Sequence, residues 1–284
     1  MRIGVIGNGF VGKATNILAC EGVQCLSYDI NPELCNPLGT TLEDVVLRTD
    51  IIFISVPTPM RSDGSCHLNI LESVVSDINK IKKVNDLFVV IRSTVPPGTC
   101  DRLGCYFMPE FLTEKNYLED FKNNKDWIYG LPSSGVGCED FKETITLLIN
   151  TACYFGKIKN CNIIFMKNKE AEMVKLFRNN FLAVKVGFCS EFYELCGKLG
   201  IEYDNVREVA TLDDRVGKSH TLVPGPDGKV GFGGTCFPKD INNTLNIMKG
   251  VGMKSYVLDG VNRRNEDVDR KEKDWESNVG RAVV

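Results

Sequence analysis

The chain has 284 residues, of which 43% are hydrophobic and 25% are charged, and its formal net charge is -3 at pH 7. A chain of this length buries a substantial core and holds about two domains of ordinary size. Because the net charge is weakly negative, the composition does not indicate a basic surface for binding nucleic acid. No apolar run approaches the ~18 residues of a membrane-spanning helix, and the first residues show no secretory signal, so we expect a cytoplasmic protein with no membrane partner.

The N-terminal segment predicts a dinucleotide site. A short apolar strand, Arg2 to Ile6, leads into GNGFVG at residues 7–12 and then into a helix from Val11 to Cys20. Glycines in this G-x-G-x-x-G pattern permit a tight turn and close approach of a pyrophosphate to the helix N-terminus. A second strand ends in an acidic residue, where a carboxylate would accept the ribose hydroxyls of NAD. We favour NAD over a phosphate-free turn, with these contacts: Gly7, Gly9, Phe10, Val11, Gly12 and Asp29.

Five further apolar runs follow, at 50–56, 87–93, 105–108, 127–131 and 162–166. Helix-length segments separate them, so the pattern predicts an α/β fold with a Rossmann-type, doubly wound parallel sheet covered on both faces. Such sheets bind ligands at the carboxyl ends of their strands, where Thr58 and Thr94 lie. Either threonine could cap a strand end or contact the cofactor, and position alone does not decide between these roles.

The second half of the chain is predicted to be helical. From Asn168 to about Gly200, apolar residues recur every three or four positions, which predicts one long amphipathic helix of about 45 Å. Glu172, Lys175 and Asn179 form a second stripe on it, and such stripes are more often solvated than functional. We therefore predict an NAD-binding domain over 1–167 and an α-helical domain with one long central helix over 168–284.

The 12 cysteines include no C-x-x-C pair, and only two histidines accompany them, so we expect no metal site and mostly buried, reduced thiols. One cysteine stands apart. In GFGGTCFPKD, residues 231–240, Cys236 comes just before a helix in which Pro238 suits the first turn and Gly250 ends the apolar pattern. The helix N-terminus and a nearby lysine favour a thiolate, so we interpret Cys236 as a nucleophile rather than as a structural residue.

Taken together, these motifs resemble the UDP-glucose/GDP-mannose dehydrogenase family, whose members oxidise a nucleotide sugar to a uronic acid with NAD. The resemblance covers nearly the whole chain, and the motifs occur in the family's order. They are GNGFVG (7–12), VPTPMRSDGS (56–65), RSTVPPGT (92–99), MPEFLTEKNYLEDF (108–121), EAEMVKLFRNNFLAVKVGFCSE (170–191), DDRVG (213–217) and GFGGTCFPKD (231–240).

The resemblance implies a four-electron oxidation of UDP-glucose to UDP-glucuronate. A first hydride leaves carbon 6 of the sugar, Cys236 captures the aldehyde as a thiohemiacetal, and a second hydride transfer gives a thioester that water hydrolyses. Lys175 would stabilise the oxygen, with Asn179 as its hydrogen-bonding partner. Asp240 and Glu110 are the candidate bases. Glu172 has no assigned role.

The resemblance also implies the substrate contacts and the assembly. Arg215 would reach the substrate in a neighbouring subunit, and the long helix would pair with its mate in a homodimer. The other predicted substrate contacts are Glu114, Phe232 and Gly233.

The chain departs from the family pattern in two places. KSHTLVPGPDGKVGFGG, residues 218–234, inserts a Pro-Gly-Pro-Asp-Gly turn before the cysteine. After residue 261 we read only a charged stretch, where family members continue with a second nucleotide-fold domain that holds the UDP, so we expect most of the nucleotide grip to be missing.

Four alternatives to UDP-glucose oxidation remain open. The chain could act on GDP-mannose, a UDP-N-acetylhexosamine or a sugar without a nucleotide. It could be a two-electron hydroxyacid dehydrogenase, which has no use for Cys236. It could be a non-catalytic NAD-binding remnant, or a subunit that borrows a nucleotide-binding domain from a partner.

Overall fold

A computed structural model describes residues 1–82 and 87–284. The β-strands in these ranges are β1 (Arg2–Ile6), β2 (Gln24–Tyr28), β3 (Ile51–Ile54), β4 (Phe88–Ile91), β5 (Tyr106–Phe107), β6 (Asp126–Leu131) and β7 (Asn162–Lys167). The α-helices are α1 (Phe10–Thr15), α2 (Leu42–Arg48), α3 (Asn69–Ile81), α4 (Thr99–Leu103), α5 (Tyr117–Lys122), α6 (Cys138–Tyr154), α7 (Asn168–Leu199), α8 (Tyr203–Ala210), α9 (Phe237–Gly250) and α10 (Val257–Arg264).

The chain forms two compact units. The first contains Met1–Thr58 and Leu68–Lys175, and the second contains Pro59–His67 and Leu176–Val284. The predicted domain boundary between residues 167 and 168 stays a prediction.

The first unit is built on one seven-stranded sheet with the order β2-β1-β3-β4-β5-β6-β7. Strands β1 to β5 pair in parallel. Because β2 and β3 lie on opposite sides of β1, the strand order reverses there, and a doubly wound sheet binds its ligand in the crevice at such a reversal. The predicted Rossmann-type fold is confirmed.

The direction of the last two strands was predicted wrongly. β6 pairs antiparallel with β5, and β7 pairs parallel with β6. A parallel crossover usually uses an α-helix to carry the chain back along the sheet. Helix α6, with 17 residues, makes such a crossover between β6 and β7. The chain reverses its direction in the sheet at β6, and a pattern of apolar runs does not give the direction of a strand.

Both faces of the sheet are covered, as predicted. In β3, Ile51 and Phe53 pack into a core on the face covered by α6, whereas Ile52 and Ile54 pack into a second core on the face covered by α3. Successive residues of a strand point to opposite faces, so a strand buried on both sides reads as a continuous apolar run.

The long helix is confirmed as α7, which has 32 residues and is about 48 Å long. The first helix is shorter than predicted, because α1 ends at Thr15 and a 3-10 turn follows over Asn16–Leu18. Cys20 and Val23 then exchange backbone hydrogen bonds of 3.1 and 2.9 Å in the turn into β2, which leaves no room for a longer helix. None of the described helices is both long and apolar enough to cross a bilayer.

The charged stretch after residue 261 is folded into the second unit. A turn of π-helix, Asn265–Asp269, follows α10, and a 3-10 turn over Asp274–Ser277 buries Trp275. Met60 donates a backbone hydrogen bond of 2.8 Å to Ala282. This segment carries charges on its surface, but it contributes buried residues that the sequence pattern did not reveal.

The loop between β1 and α1 leads to a first prediction. A Cβ at Gly12 would overlap the carbonyl oxygen of Gly7 and lie 3.0 Å from Val5 Cγ1, whereas a Cβ at Gly197 in α7 meets nothing within 4 Å. We expect Gly12→Ala to destabilise the protein by about 1–3 kcal/mol through overpacking. Gly197→Ala should instead stabilise it by about 0.5–1 kcal/mol through helix propensity. Thermal unfolding of both variants measures the difference, and a Gly12→Ala protein as stable as wild type would contradict this packing.

Candidate active site

The loop between β1 and α1 has the shape that a dinucleotide requires. Gly7 has φ +84°, and a Cβ there would lie 2.7 Å from the carbonyl oxygen of Ser55. Gly9 is exposed, and a Cβ there would meet nothing within 4 Å, so its backbone is open to a close approach by a pyrophosphate. Asp29 follows β2, and its carboxylate accepts hydrogen bonds from the backbone N–H groups of Asn8 at 2.6 Å and Asn31 at 2.9 Å. This half-buried carboxylate is held where it can receive ribose hydroxyls, so the residues present fit NAD.

The other predicted cofactor residues lie in the same unit. Phe10 and Val11 begin α1, and the Phe10 ring meets Tyr117 edge to face at 6.2 Å. Thr58 donates from Oγ1 to the carbonyl oxygen of Thr94 at 2.8 Å, and both threonines are buried. This hydrogen bond ties together the segments that follow β3 and β4. It gives Thr58 a structural role, and contact with the cofactor stays a prediction for both residues.

Glu172 has a partner that its sequence position did not suggest. Its carboxylate is fully buried and accepts hydrogen bonds from the backbone N–H groups of Gly98 at 2.5 Å and Cys100 at 2.8 Å. These groups lie at the N-terminus of α4, where a carboxylate satisfies N–H groups that have no partner within the helix. Burial raises the pKa of Glu172, and the two hydrogen bonds oppose that rise. Glu172 therefore joins α7 to α4.

Lys175 and Glu110 form a buried ion pair in the first unit. Lys175 Nζ donates to Glu110 Oε1 and to the Glu110 carbonyl oxygen, both at 2.6 Å. The Phe111 ring lies 5.5 Å from the ammonium, and Leu112 donates its backbone N–H to Glu110 Oε2 at 2.9 Å. Only 3% of the Lys175 side chain and 8% of the Glu110 side chain are exposed. The structure thus brings two of the predicted catalytic residues together.

Cys236 lies in the second unit, immediately before α9, with Pro238 in the first turn as predicted. Its side chain is half-buried. Lys239 in the same turn is buried, and burial alone would lower its pKa, but the nearby Asp240 carboxylate and the thiols of Cys66 and Cys236 outweigh that effect and raise it. An ammonium and a helix N-terminus together favour the thiolate form of a cysteine.

Asp240 is also buried, with 1% of its surface exposed. Its Oδ1 accepts from Lys239 Nζ at 2.5 Å, and its Oδ2 accepts from Asn179 Nδ2 at 2.6 Å. Asn179 therefore bonds to the carboxylate after the cysteine. Lys175 and Asn179 lie one turn apart on α7, and each has a catalytic candidate of its own unit as its partner.

The predicted substrate residues have different environments. Glu114 is exposed, and Arg215 exposes 90% of its side chain and pairs with Asp213 at 2.6 Å. The Phe232 side chain is buried with Ala183 and Ile241. A Cβ at Gly233 would overlap the Arg270 guanidinium. Phe232 and Gly233 thus contribute to packing, and their contact with a substrate stays a prediction.

Three residues of this region were not assigned from the sequence. Lys239 was visible only as an unspecified neighbouring lysine of the motif, and Asn265 and Arg270 lie in the stretch that reads as a charged surface. The three glycines of GFGG, residues 231–234, were an available signal, because positions without side chains admit another segment as readily as a ligand. In the part of the chain that the structure describes, no group of three or more His, Cys, Asp or Glu side chains could hold a metal ion.

Two family models match the sequence. The NAD binding domain of the UDP-glucose/GDP-mannose dehydrogenase family matches residues 37–136, and the central domain of the same family matches residues 169–267. UDP-glucose 6-dehydrogenase of Rickettsia typhi is 31% identical over 307 residues, which cover 94% of this chain and 67% of that protein. UDP-glucose 6-dehydrogenase of Rickettsia bellii is 28% identical, with the same coverage of 94% and 67%.

A solved structure also shows similarity to a dehydrogenase of this family. A UDP-glucose dehydrogenase from the hyperthermophilic archaeon Pyrobaculum islandicum is 27% identical, with a TM-score of 0.78 over 94% of this chain and 68% of that chain. The chain thus spans about 67% of the length of the two Rickettsia relatives. The ordered motifs, the fitting dinucleotide loop and these matches lead to one conclusion. The chain belongs to the UDP-glucose/GDP-mannose dehydrogenase family, and NAD is its cofactor.

Proposed function

We propose that this chain oxidises UDP-glucose to UDP-glucuronate as an NAD-dependent nucleotide-sugar 6-dehydrogenase with Cys236 as its nucleophile. The observation that carries the proposal is the place of Cys236, immediately before α9 and beside the buried Lys239. A two-electron dehydrogenase needs no thiolate. The relatives named UDP-glucose 6-dehydrogenase support the choice of substrate.

The thiolate makes a second oxidation possible. When bound, NAD would accept the hydride that leaves carbon 6 of the sugar, which becomes an aldehyde. Cys236 Sγ then forms a bond to the aldehyde carbon, and the resulting thiohemiacetal can lose a second hydride to give a thioester. Water adds to the thioester carbon, the C–S bond breaks, and the Cys236 thiolate leaves a carboxylate behind. Four electrons leave the sugar, so two NAD molecules are reduced for each sugar.

Lys175 and Glu110 have complementary roles in this proposal. The Lys175 ammonium stabilises the negative charge on the reacting oxygen, and its pairing with Glu110 holds it in one orientation before the reaction. Glu110 is the base that activates water for thioester hydrolysis. Of the two candidate carboxylates it is the more exposed, with 8% of its side chain accessible against 1% for Asp240.

Asp240 positions other groups. Both of its oxygens already accept hydrogen bonds from buried side chains, Lys239 and Asn179. Because Asp240 is the less exposed of the two carboxylates and joins two buried side chains, we assign it to holding the ammonium beside Cys236 and the amide of Asn179 on α7.

We also propose that two copies pair through α7. The helix exposes an apolar stripe, and such stripes on otherwise polar surfaces mark interfaces. Phe177 is 69% exposed and Phe181 60% exposed, and their rings lie parallel at 6.4 Å. The other members are Phe188, Phe192, Leu195 and Leu199. Arg215 exposes 90% of its side chain and contacts the substrate of the second copy in this proposal, as the family resemblance implies.

The nucleophile is tested by stoichiometry. Wild-type protein should form two NADH for each UDP-glucose, and Cys236→Ser should form no UDP-glucuronate, because serine cannot form the thioester. Cys161→Ser is the matched control, since Cys161 is an exposed cysteine in the first unit. NADH absorbance together with chromatography of the sugar products measures both quantities.

A panel of nucleotide sugars separates the alternatives. Two NADH with GDP-mannose or a UDP-N-acetylhexosamine, and none with UDP-glucose, would keep the mechanism and change the substrate. One NADH per substrate together with an active Cys236→Ser variant would identify a two-electron dehydrogenase. NAD binding without turnover of any sugar would refute catalysis by this chain.

The assignment of the base has a separate test. Glu110→Gln should lower kcat by about 10²–10⁴-fold, the usual contribution of a general base. It should also accumulate the sugar thioester on Cys236, visible as an added mass on the intact protein. Asp240→Asn is the matched variant and should slow thioester formation without accumulating it. An adduct in Asp240→Asn alone would transfer the role of base to Asp240.

The assembly is tested by sedimentation. We expect a dimer at micromolar concentration, and Phe177→Arg should shift it to a monomer by placing a charge in the apolar stripe. Leu147→Arg is the control, because Leu147 is an apolar residue of α6 with 60% of its surface exposed. A wild-type monomer, or equal dissociation of both variants, would contradict pairing through α7.

A further inference from the structure

We infer that residues 265–274 are a positioning element for Cys236, because they fix residues 230–233 of the loop that leads into the nucleophile. The inference deepens the proposed function and rests on it only for the role of the thiol. Arg270 and Asp274 lie beyond residue 267, where the match to the family's central domain ends.

Asn265 holds the loop through its backbone. Its Nδ2 donates to the carbonyl oxygen of Phe232 at 2.9 Å, and its Oδ1 accepts from the backbone N–H of Phe232 at 2.8 Å. Asn265 is 1% exposed. A single amide thus satisfies both backbone groups of one residue, as a neighbouring strand would. Because unpaired buried backbone groups are costly, these hydrogen bonds fix the position of the loop at Phe232.

Arg270 holds the loop two residues earlier, at Val230. Its Nε donates to the carbonyl oxygen of Val230 at 2.8 Å, and its Nη1 donates to Asp274 Oδ2 at 2.7 Å. The second terminal nitrogen, Nη2, pairs with Asp227 of the inserted turn. The planar guanidinium therefore links the loop backbone to an acid on either side. A buried charge with three acceptors is costly to displace.

The glycines of the loop are required by this packing. Gly231 has φ +75°, and a Cβ there would lie 2.5 Å from Asn265 Oδ1 and 2.7 Å from Asp269 Cβ. A Cβ at Gly233 would overlap Arg270 and lie 2.7 Å from Asp274 Oδ1. The absence of side chains at these positions lets the 265–274 segment contact the loop backbone directly.

The loop is also anchored on the side of α9. Phe232 packs with Ile241, and its ring lies 6.3 Å from that of Phe237, the first residue of the helix. Cys236 therefore follows a loop that residues 265–274 hold from one side and α9 holds from the other. Release of the first contact would let the thiol move away from the helix N-terminus and from Lys239, which would lower the fraction of thiolate.

The test uses Asn265→Ala and Arg270→Met in the full chain, without substrate or NAD. Arg263→Met is the matched control, because Arg263 is 70% exposed and pairs with Asp259 within α10. Alkylation of Cys236 by iodoacetamide, followed across pH by peptide mass spectrometry, reports the thiolate. We expect the pH of half-maximal rate to rise by about one unit in the two test variants, which is about a tenfold loss of rate near neutral pH.

Hydrogen exchange of backbone amides 231–236 tests the clamp independently of the chemistry of Cys236. We expect exchange about tenfold faster in Asn265→Ala than in Arg263→Met. Unchanged exchange would overturn the inference, and so would faster exchange with an unchanged alkylation profile, since the contact would then be merely structural. If Arg270→Met does not fold, Arg270→Lys keeps the charge without the planar bridge and should show the same two changes. Failure of the proposed function would appear instead as absent turnover in a wild-type protein whose loop exchanges slowly.

Discussion

The burial of three polar residues on α7 requires a partner for each of them within its own unit. Glu172, Lys175 and Asn179 are at most 7% exposed, and each is satisfied by a different element. Glu172 binds the N-terminus of α4, and Lys175 pairs with the carboxylate that follows β5. Asn179 binds the carboxylate in the first turn of α9. A buried charge or amide without a partner costs several kcal/mol, so each partner is fixed by the same interaction that satisfies α7.

A buried lysine balances the charges in the first turn of α9. Lys239 pairs with Asp240 at 2.5 Å, and, against the effect of burial, the Asp240 carboxylate and the Cys236 thiol both raise the pKa of Lys239. Asp240 keeps the lysine ammonium protonated and in place, and the ammonium together with the helix N-terminus offsets the charge of a thiolate.

Local signals in the sequence predicted the elements that local interactions define. The apolar period of α7 and the proline after Cys236 identified both helices and the place of the thiol, because helix bounds depend on neighbouring residues. Residue spacing alone favours a solvated stripe on α7, because the partners of these residues are distant in sequence, and only the family resemblance predicts roles for Lys175 and Asn179. Glu110 lies 65 residues from Lys175, and Asp240 lies 61 residues from Asn179. The reversed direction of β6 likewise depends on the path of a connection, which residue patterns do not encode. Asn265 and Arg270 were hidden because a run of alternating charges reads as surface.

The contact between residues 230–233 and residues 265–274 constrains which amino-acid substitutions this protein tolerates. Gly231 and Gly233 tolerate no Cβ while Asn265 and Arg270 occupy their places against the loop backbone. The two segments are therefore coupled by direct contacts, although 33 positions separate Phe232 from Asn265. A chimera that grafts the cysteine loop of a relative onto this chain would have to carry the matching segment with it. A substitution that disrupts these contacts in one segment should require a compensating substitution in the other.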